Sequence, residues 1–207
     1  MIALGLDPGF VSFGWAVLRL EHDRERLLGL GVIRTKKVAG KVLKRDDDHR
    51  RCAEIARELL RITREWKPDV ICAEALAHAP VATRGGMSIP TIATSTSGRA
   101  WGLVDMLAEV HQVALLQAAP QTIKKACAGA ANASKVEVQA ALDRRLDGAL
   151  GRQLGLIRAK RQHEHASDAV GAVIALLHHD AVRLARSVKQ RHLRELELTH
   201  PEGPRMT

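Results

Sequence analysis

A chain of 207 residues, 46% of them apolar, can bury one sizeable core with at most a small appendage, so a single main domain is expected. The formal net charge of +9 points to a polyanionic partner, nucleic acid before an anionic membrane surface. No run approaches the roughly 18 apolar residues of a membrane span and the first strand is expected to start at residue 2, so neither a membrane span nor a targeting peptide is expected and a cytoplasmic protein is.

An apolar run from Ile2 to Leu6 ends in Asp7 and the turn pair Pro8 and Gly9. One carboxylate therefore stands at the end of a buried strand, where it has to be hydrogen-bonded, metal-bound or catalytic. Ser12 to Leu20 and Leu27 to Arg34 read as second and third strands of an antiparallel meander. Residues 35–51 carry charge without apolar periodicity and read as a loop leading into a helix, either a solvated run or a DNA contact. Cys52, Ile55, Ala56, Leu59, Leu60 and Ile62 recur at helical spacing, which predicts a helix from Asp48 to Trp66 capped by Asp46 to Asp48. Asp69 to Glu74 is a short buried strand whose end again carries a lone carboxylate.

Residues 76–90 have the glycine and proline content of a mobile loop, and a helix rich in small residues follows from Thr91 to Val110. His111 to Ala118 reads as a fifth strand and Gln121 to Cys127 as a short helix. Ser134 and Glu137 form a capping box that opens a helix reaching Leu146. Residues 148–161 read as a basic loop with Arg152, Arg158, Lys160 and Arg161, and Glu164 to Ser187 as one long helix. The domain is expected to span residues 1–187, with 188–207 a charged, flexible tail. Cys52, Cys72 and Cys127 lack zinc-ligand spacing and read as reduced thiols. With no Tyr, two Phe and three Trp, a base-stacking platform is not expected.

Three strands, helix, strand, helix, strand and further helices is an α/β order with a mixed five-stranded sheet flanked by helices. A right-handed crossover returns the fourth strand parallel to the first, so Asp7 and Glu74 become neighbours at one sheet edge. His165 and Asp168 stand three apart on one face of the last helix, above the small residues Ala169 and Ala172 that let this face approach the sheet. Such an acidic set repels itself unless divalent cations neutralise it. Oxygen ligands suit Mg²⁺, and one imidazole shifts the preference toward Mn²⁺. Two ions about 4 Å apart would serve phosphodiester hydrolysis. Singly, each residue has a structural alternative: Asp7 as a turn cap, Glu74 in a strand-end ion pair, His165 and Asp168 as exposed helix residues.

The LGLDPGFVSFGWAV opening, ICAEALAHAP, SGRAWGLVDML, PQTIKKACAGAANASKVEVQAAL and HEHASDAVGAVIALL resemble, in order and spacing, the RuvC family of Holliday-junction resolvases across roughly residues 1–180. The resemblance implies an RNase H-like fold, a homodimer and metal-dependent symmetric nicking of a four-way DNA junction, with a branch-migration helicase as a possible partner. It places the family's four active-site positions on Asp7, Glu74, His165 and Asp168, His165 standing where some members have Asp. The family's basic residues near the scissile phosphate match Lys124 and Lys135, and Lys125 and Arg84 are further candidates for DNA contact. The aromatic that often follows the second acid is replaced by Ala77, which leaves His78 beside it, or Phe10 and Phe13 after the first acid, as candidates to touch an unpaired base; packing of the loop is the alternative for the two Phe. Other nucleases of the same fold, a junction-binding module that does not cleave, and an ATP-dependent phosphotransferase with a similar Asp-x-Gly turn are the competing classes.

Overall fold

The computed structural model describes residues 1–21, 24–76, 83–84, 87–88 and 92–199, with side chains described over 1–21, 24–76 and 96–189. Strands β1 (Ile2–Asp7), β2 (Ser12–Leu20) and β3 (Glu25–Arg34) form the expected antiparallel meander. Helix α1 (Lys44–Trp66) crosses over to β4 (Val70–Glu74), which lies parallel to β1. Two short strands, β5 (Thr83–Arg84) and β6 (Met87–Ser88), pair with each other, and α2 (Ile92–His111) leads to β7 (Ala114–Ala118), parallel to β4. The chain continues through α3 (Pro120–Ala128), α4 (Lys135–Arg145), α5 (Ala149–Leu154), a 3₁₀ turn (Lys160–Gln162), α6 (His163–Leu176) and α7 (Asp180–Thr199). Among the described residues the main sheet is five-stranded in the order β3-β2-β1-β4-β7.

Both faces of this sheet are covered, which is why β1 reads as a continuous apolar run rather than an alternating one. Leu4 and Leu6 point into a core shared with Ile55, Leu59 and Ile62 of α1 and with Trp101 and Leu107 of α2. Ala3, Ala16, Leu18 and Cys72 point to the other side, against α3, α4 and α6. On that side α6 lies almost wholly inside, with Ala166, Ala169, Val170 and Ala172 inaccessible to solvent.

Three expectations change. α1 begins at Lys44, so Asp46 to Asp48 are inside it; its N-cap is Leu43, which makes no side-chain cap. The carboxylates act elsewhere, Asp47 accepting the Val38 N–H at 3.3 Å and Asp48 pairing with Lys44 at 3.1 Å. The basic stretch 148–161 contains α5, because Leu150 and Leu154 are an i,i+4 pair buried among the arginines. The long helix expected over 164–187 is two helices: α6 ends at Leu176, and the His179 ring accepts the Ala181 N–H at 3.2 Å as α7 starts. In α7, Lys189 pairs with Asp69 at 2.7 Å. Among the described residues no helix is long and apolar enough to cross a membrane.

Candidate active site

The sheet register builds one half of the site. Leu6 of β1 pairs with Ala73 of β4, so the next residue on each strand, Asp7 and Glu74, leaves the sheet at the same edge. Helix α6 builds the other half by lying directly on β1 and β2. A Cβ at Gly5 would fall well inside contact distance of the Ala169 carbonyl oxygen, and one at Gly14 would do the same to the His165 carbonyl. These two glycines, with the small residues of α6, let the helix backbone reach the strands and hang His165 over Asp7. The imidazole Nδ1 and the Asp7 Oδ2 are hydrogen-bonded at 2.6 Å.

Asp168 follows one turn later, and the Lys135 ammonium from the first turn of α4 stands 3.6 Å from its Oδ2. Lys135 is where it is because the expected capping box is present: Ser134 and Glu137 satisfy each other's backbone N–H groups and fix the start of α4. The same ammonium pairs with Glu164, a fourth carboxylate that is not among the residues singled out from the sequence. The signal was there, since Glu164 and Asp168 are four apart and share a helix face. Between α3, α4, β4 and α6 lies a cavity of about 220 Å³ lined by Glu74, Lys124, Lys135 and Asp168, with Pro120, Ile123 and Val138 as its apolar wall.

Charge is crowded here. Burial, helped by the charges of Asp7 and Asp168, pushes the Glu74 carboxyl up to about 7. Asp168 is raised by burial as well, against the opposing pull of Lys135. The His165 ring is raised chiefly by its hydrogen bond to Asp7. Two buried carboxyls raised in this way, Glu74 and Asp168, belong to a donor set short of positive charge, and oxygen ligands with one imidazole fit a hard divalent cation. As they stand, Asp7 is bonded to His165 and Asp168 faces Lys135; among the described residues no three His, Cys, Asp or Glu side chains converge closely enough to grip one ion.

The remaining sequence candidates divide. Lys125 is exposed on α3 and is not among the cavity's lining residues. Phe10, a candidate to touch an unpaired base with packing of the loop as the alternative, is packed: it is 6% exposed, with the Arg51 guanidinium 4.2 Å from its ring, because the turn folds inward against α1. Phe13 is fully buried in the sheet core. The apolar side chain that the turn leaves in solvent is Val11, 60% exposed. Ala77 and His78 lie outside the described residues; Arg84 lies in β5, and its side chain is outside them.

A family model described as crossover junction endodeoxyribonuclease RuvC matches residues 3–178. The chain belongs to the RuvC family. The RuvC of Parasynechococcus marenigrum (strain WH8102) is 31% identical over 147 residues, covering 71% of this chain and 84% of that one. The RuvC of Nitrobacter hamburgensis is 27% identical over 179 residues, covering 85% and 88%. Among solved structures, Thermus thermophilus RuvC in complex with a Holliday junction substrate superposes with a TM-score of 0.61 at 19% identity, over 84% of this chain and 92% of that one, a likeness of fold. As a RuvC-family protein with an RNase H-like sheet, it is a metal-dependent endonuclease that acts on Holliday junctions in DNA.

Proposed function

We propose that this RuvC-family enzyme resolves four-way junctions as a homodimer, nicking two strands symmetrically with two Mg²⁺ ions per active site, Mn²⁺ being an effective substitute. On this reading it acts in the cytoplasm, beside a branch-migration helicase. Asp7, Glu74, His165 and Asp168 hold the ions, Asp7 as the central ligand. When bound, the ions lower the pKa of an attacking water and stabilise charge on the leaving oxygen. The protein's own side chains do the rest. Asp7 holds the His165 ring by Nδ1 and so fixes where Nε2 points. Lys124 and Lys135, facing the cavity beside Glu74 and Asp168, receive the oxygens of the scissile phosphate and offset charge as it develops. Lys125 and Arg84 add contacts to the DNA backbone, with His78 as the residue beside an unpaired base.

The observation that carries this reading is the meeting of carboxylates from β1, β4 and α6 with two lysines from α3 and α4 around one sheet edge. The test compares a synthetic four-way junction with flap, duplex and RNA–DNA hybrid substrates in Mg²⁺ and in Mn²⁺. Paired nicks in the junction, with the other substrates left whole, are expected; preferential cleavage of the hybrid or the flap overturns the assignment. Asp7→Asn is expected to lose cleavage while binding the junction with unchanged affinity, because binding rests on phosphate contacts and cleavage on the ions. Metal-dependent cleavage retained by that variant refutes the role given to Asp7. Sedimentation of the junction complex checks the dimer, and a single copy per cleaved junction contradicts it.

A further inference from the structure

The first two turns of α1 carry polar side chains into the interior, among them Arg51, which is 3% exposed. A guanidinium persists in such a place only where its donors and its charge are taken up. Arg51 Nε donates to Thr35 Oγ1 at 2.9 Å and Nη2 donates to the Phe10 carbonyl at 3.3 Å. Its Nη1 stands 3.8 Å from Asp48 Oδ1, and the Phe10 ring covers its flat face. Thr35, equally buried, donates its hydroxyl to the same Phe10 carbonyl at 2.7 Å and its backbone N–H to the Val11 carbonyl at 3.1 Å. Four hydrogen bonds thus end on, or link, the two groups that hold Phe10 and Val11.

These two residues belong to the turn that leaves β1 immediately after Asp7, a turn otherwise closed by the Gly9 N–H bonding to the Asp7 carbonyl at 2.9 Å. A surface turn satisfies its carbonyls with water at no cost in buried charge. A buried cation spent on one turn, three residues beyond a candidate ligand, is what a site requires when its first ligand must hold its direction to within a fraction of an ångström.

We propose that Arg51 and Thr35 are positioning residues. By gripping Phe10 and Val11 from α1 and the end of β3 they fix the path of the chain past Asp7, and through it the affinity of the site for a divalent cation. This rests on the reading of Asp7 as a metal ligand.

The probe is Mn²⁺ alone, titrated into the metal-free 207-residue chain with free Mn²⁺ read by electron paramagnetic resonance, alongside thermal unfolding and cleavage of a synthetic four-way junction. Thr35→Val removes the hydroxyl and keeps the shape and the backbone N–H; Arg51→Met keeps the stem and removes the donors. Each is expected to weaken Mn²⁺ binding by about 10-fold, the lower end of what the loss of a ligand's supporting partner costs, and to raise the Mn²⁺ concentration needed for half-maximal cleavage by the same factor. If Arg51→Met does not fold, Thr35→Val decides. Wild-type Mn²⁺ affinity in folded Thr35→Val overturns the proposal, even if its melting temperature has dropped, since that is the signature of a purely structural network. A wild-type protein that binds no Mn²⁺ overturns it too. Weakened Mn²⁺ binding in Thr35→Val, with no junction cleavage by any form, upholds the positioning role and refutes the resolvase reading.

Discussion

Glu74 is the residue whose environment makes the sharpest statement about solution behaviour. Its carboxyl, pushed up to about 7, takes up a proton on folding that the unfolded chain would have released. The stabilisation this gives the metal-free protein is complete below the ordinary carboxylate range and is lost as pH rises through about 7. Asp168 and His165 are raised as well, so they act with the same sign. The metal-free protein is therefore expected to melt at a higher temperature at about pH 5 than at about pH 8. Added divalent cation should remove much of the difference, and Glu74→Gln should flatten the profile; thermal unfolding with and without chelator measures both. A wild-type profile that rises with pH in chelator contradicts the crowding of carboxylates at this edge. Asp7 was legible as a strand-end carboxylate that needed a partner. Its bond to His165 was not, because it joins residues 158 positions apart.

At the scale of elements, the decisive contact is α6 on β1 and β2. The small residues Ala169 and Ala172 signalled one side of that contact, but its other side is Gly5 and Gly14, which in a sequence read only as weak positions within strands. Gly14→Ala is expected to push the helix away from β2 and to cost about 1–3 kcal/mol, as other insertions of a methyl into a packed interior do. Chemical denaturation gives that cost, and Mn²⁺ affinity should fall with it because the His165 carbonyl is the group displaced. α5 was missed because two buried leucines are outnumbered by charged neighbours. The break between α6 and α7 was missed because a histidine cap at His179 resembles ordinary helix sequence. α7 closes over the end of the sheet through Lys189 and Asp69, yet Asp69 also accepts the Ile2 N–H at 2.6 Å and keeps a partner without the lysine. Lys189→Ala is thus expected to cost about 1 kcal/mol or less in urea unfolding, the usual worth of a half-exposed pair.

For the whole molecule, a chain of net charge +9 encloses an acidic site. The excess of positive charge suits a polyanionic partner, and on the proposed reading the carboxylates would repel the reacting phosphate until cations are bound. Junction affinity measured in chelator is expected to fall by about 10³-fold or more between about 50 and 200 mM salt, the behaviour of an interface led by several phosphate contacts. Asp7→Asn should show the same slope. Fluorescence anisotropy of a labelled junction reads both, and a flat curve would argue against a phosphate-led interface.

By itself the sequence determined the α/β class, the presence of five main strands, the meander and the parallel crossover, while where the last strand joins the sheet came from the structure. Each follows from local periodicity and the handedness of chain connections, which the sequence displays residue by residue. It also marked Asp7, Glu74, His165 and Asp168 through the oddity of charge at strand ends and over small residues. Tertiary structure alone decided that Phe10 faces inward, that Arg51 and Thr35 hold the turn beyond Asp7, and that Glu164 shares Lys135 with Asp168. Those outcomes depend on which side of a turn or helix meets a neighbour from far along the chain. Burial and pairing of charge settle that, and neither leaves a periodic trace in the sequence.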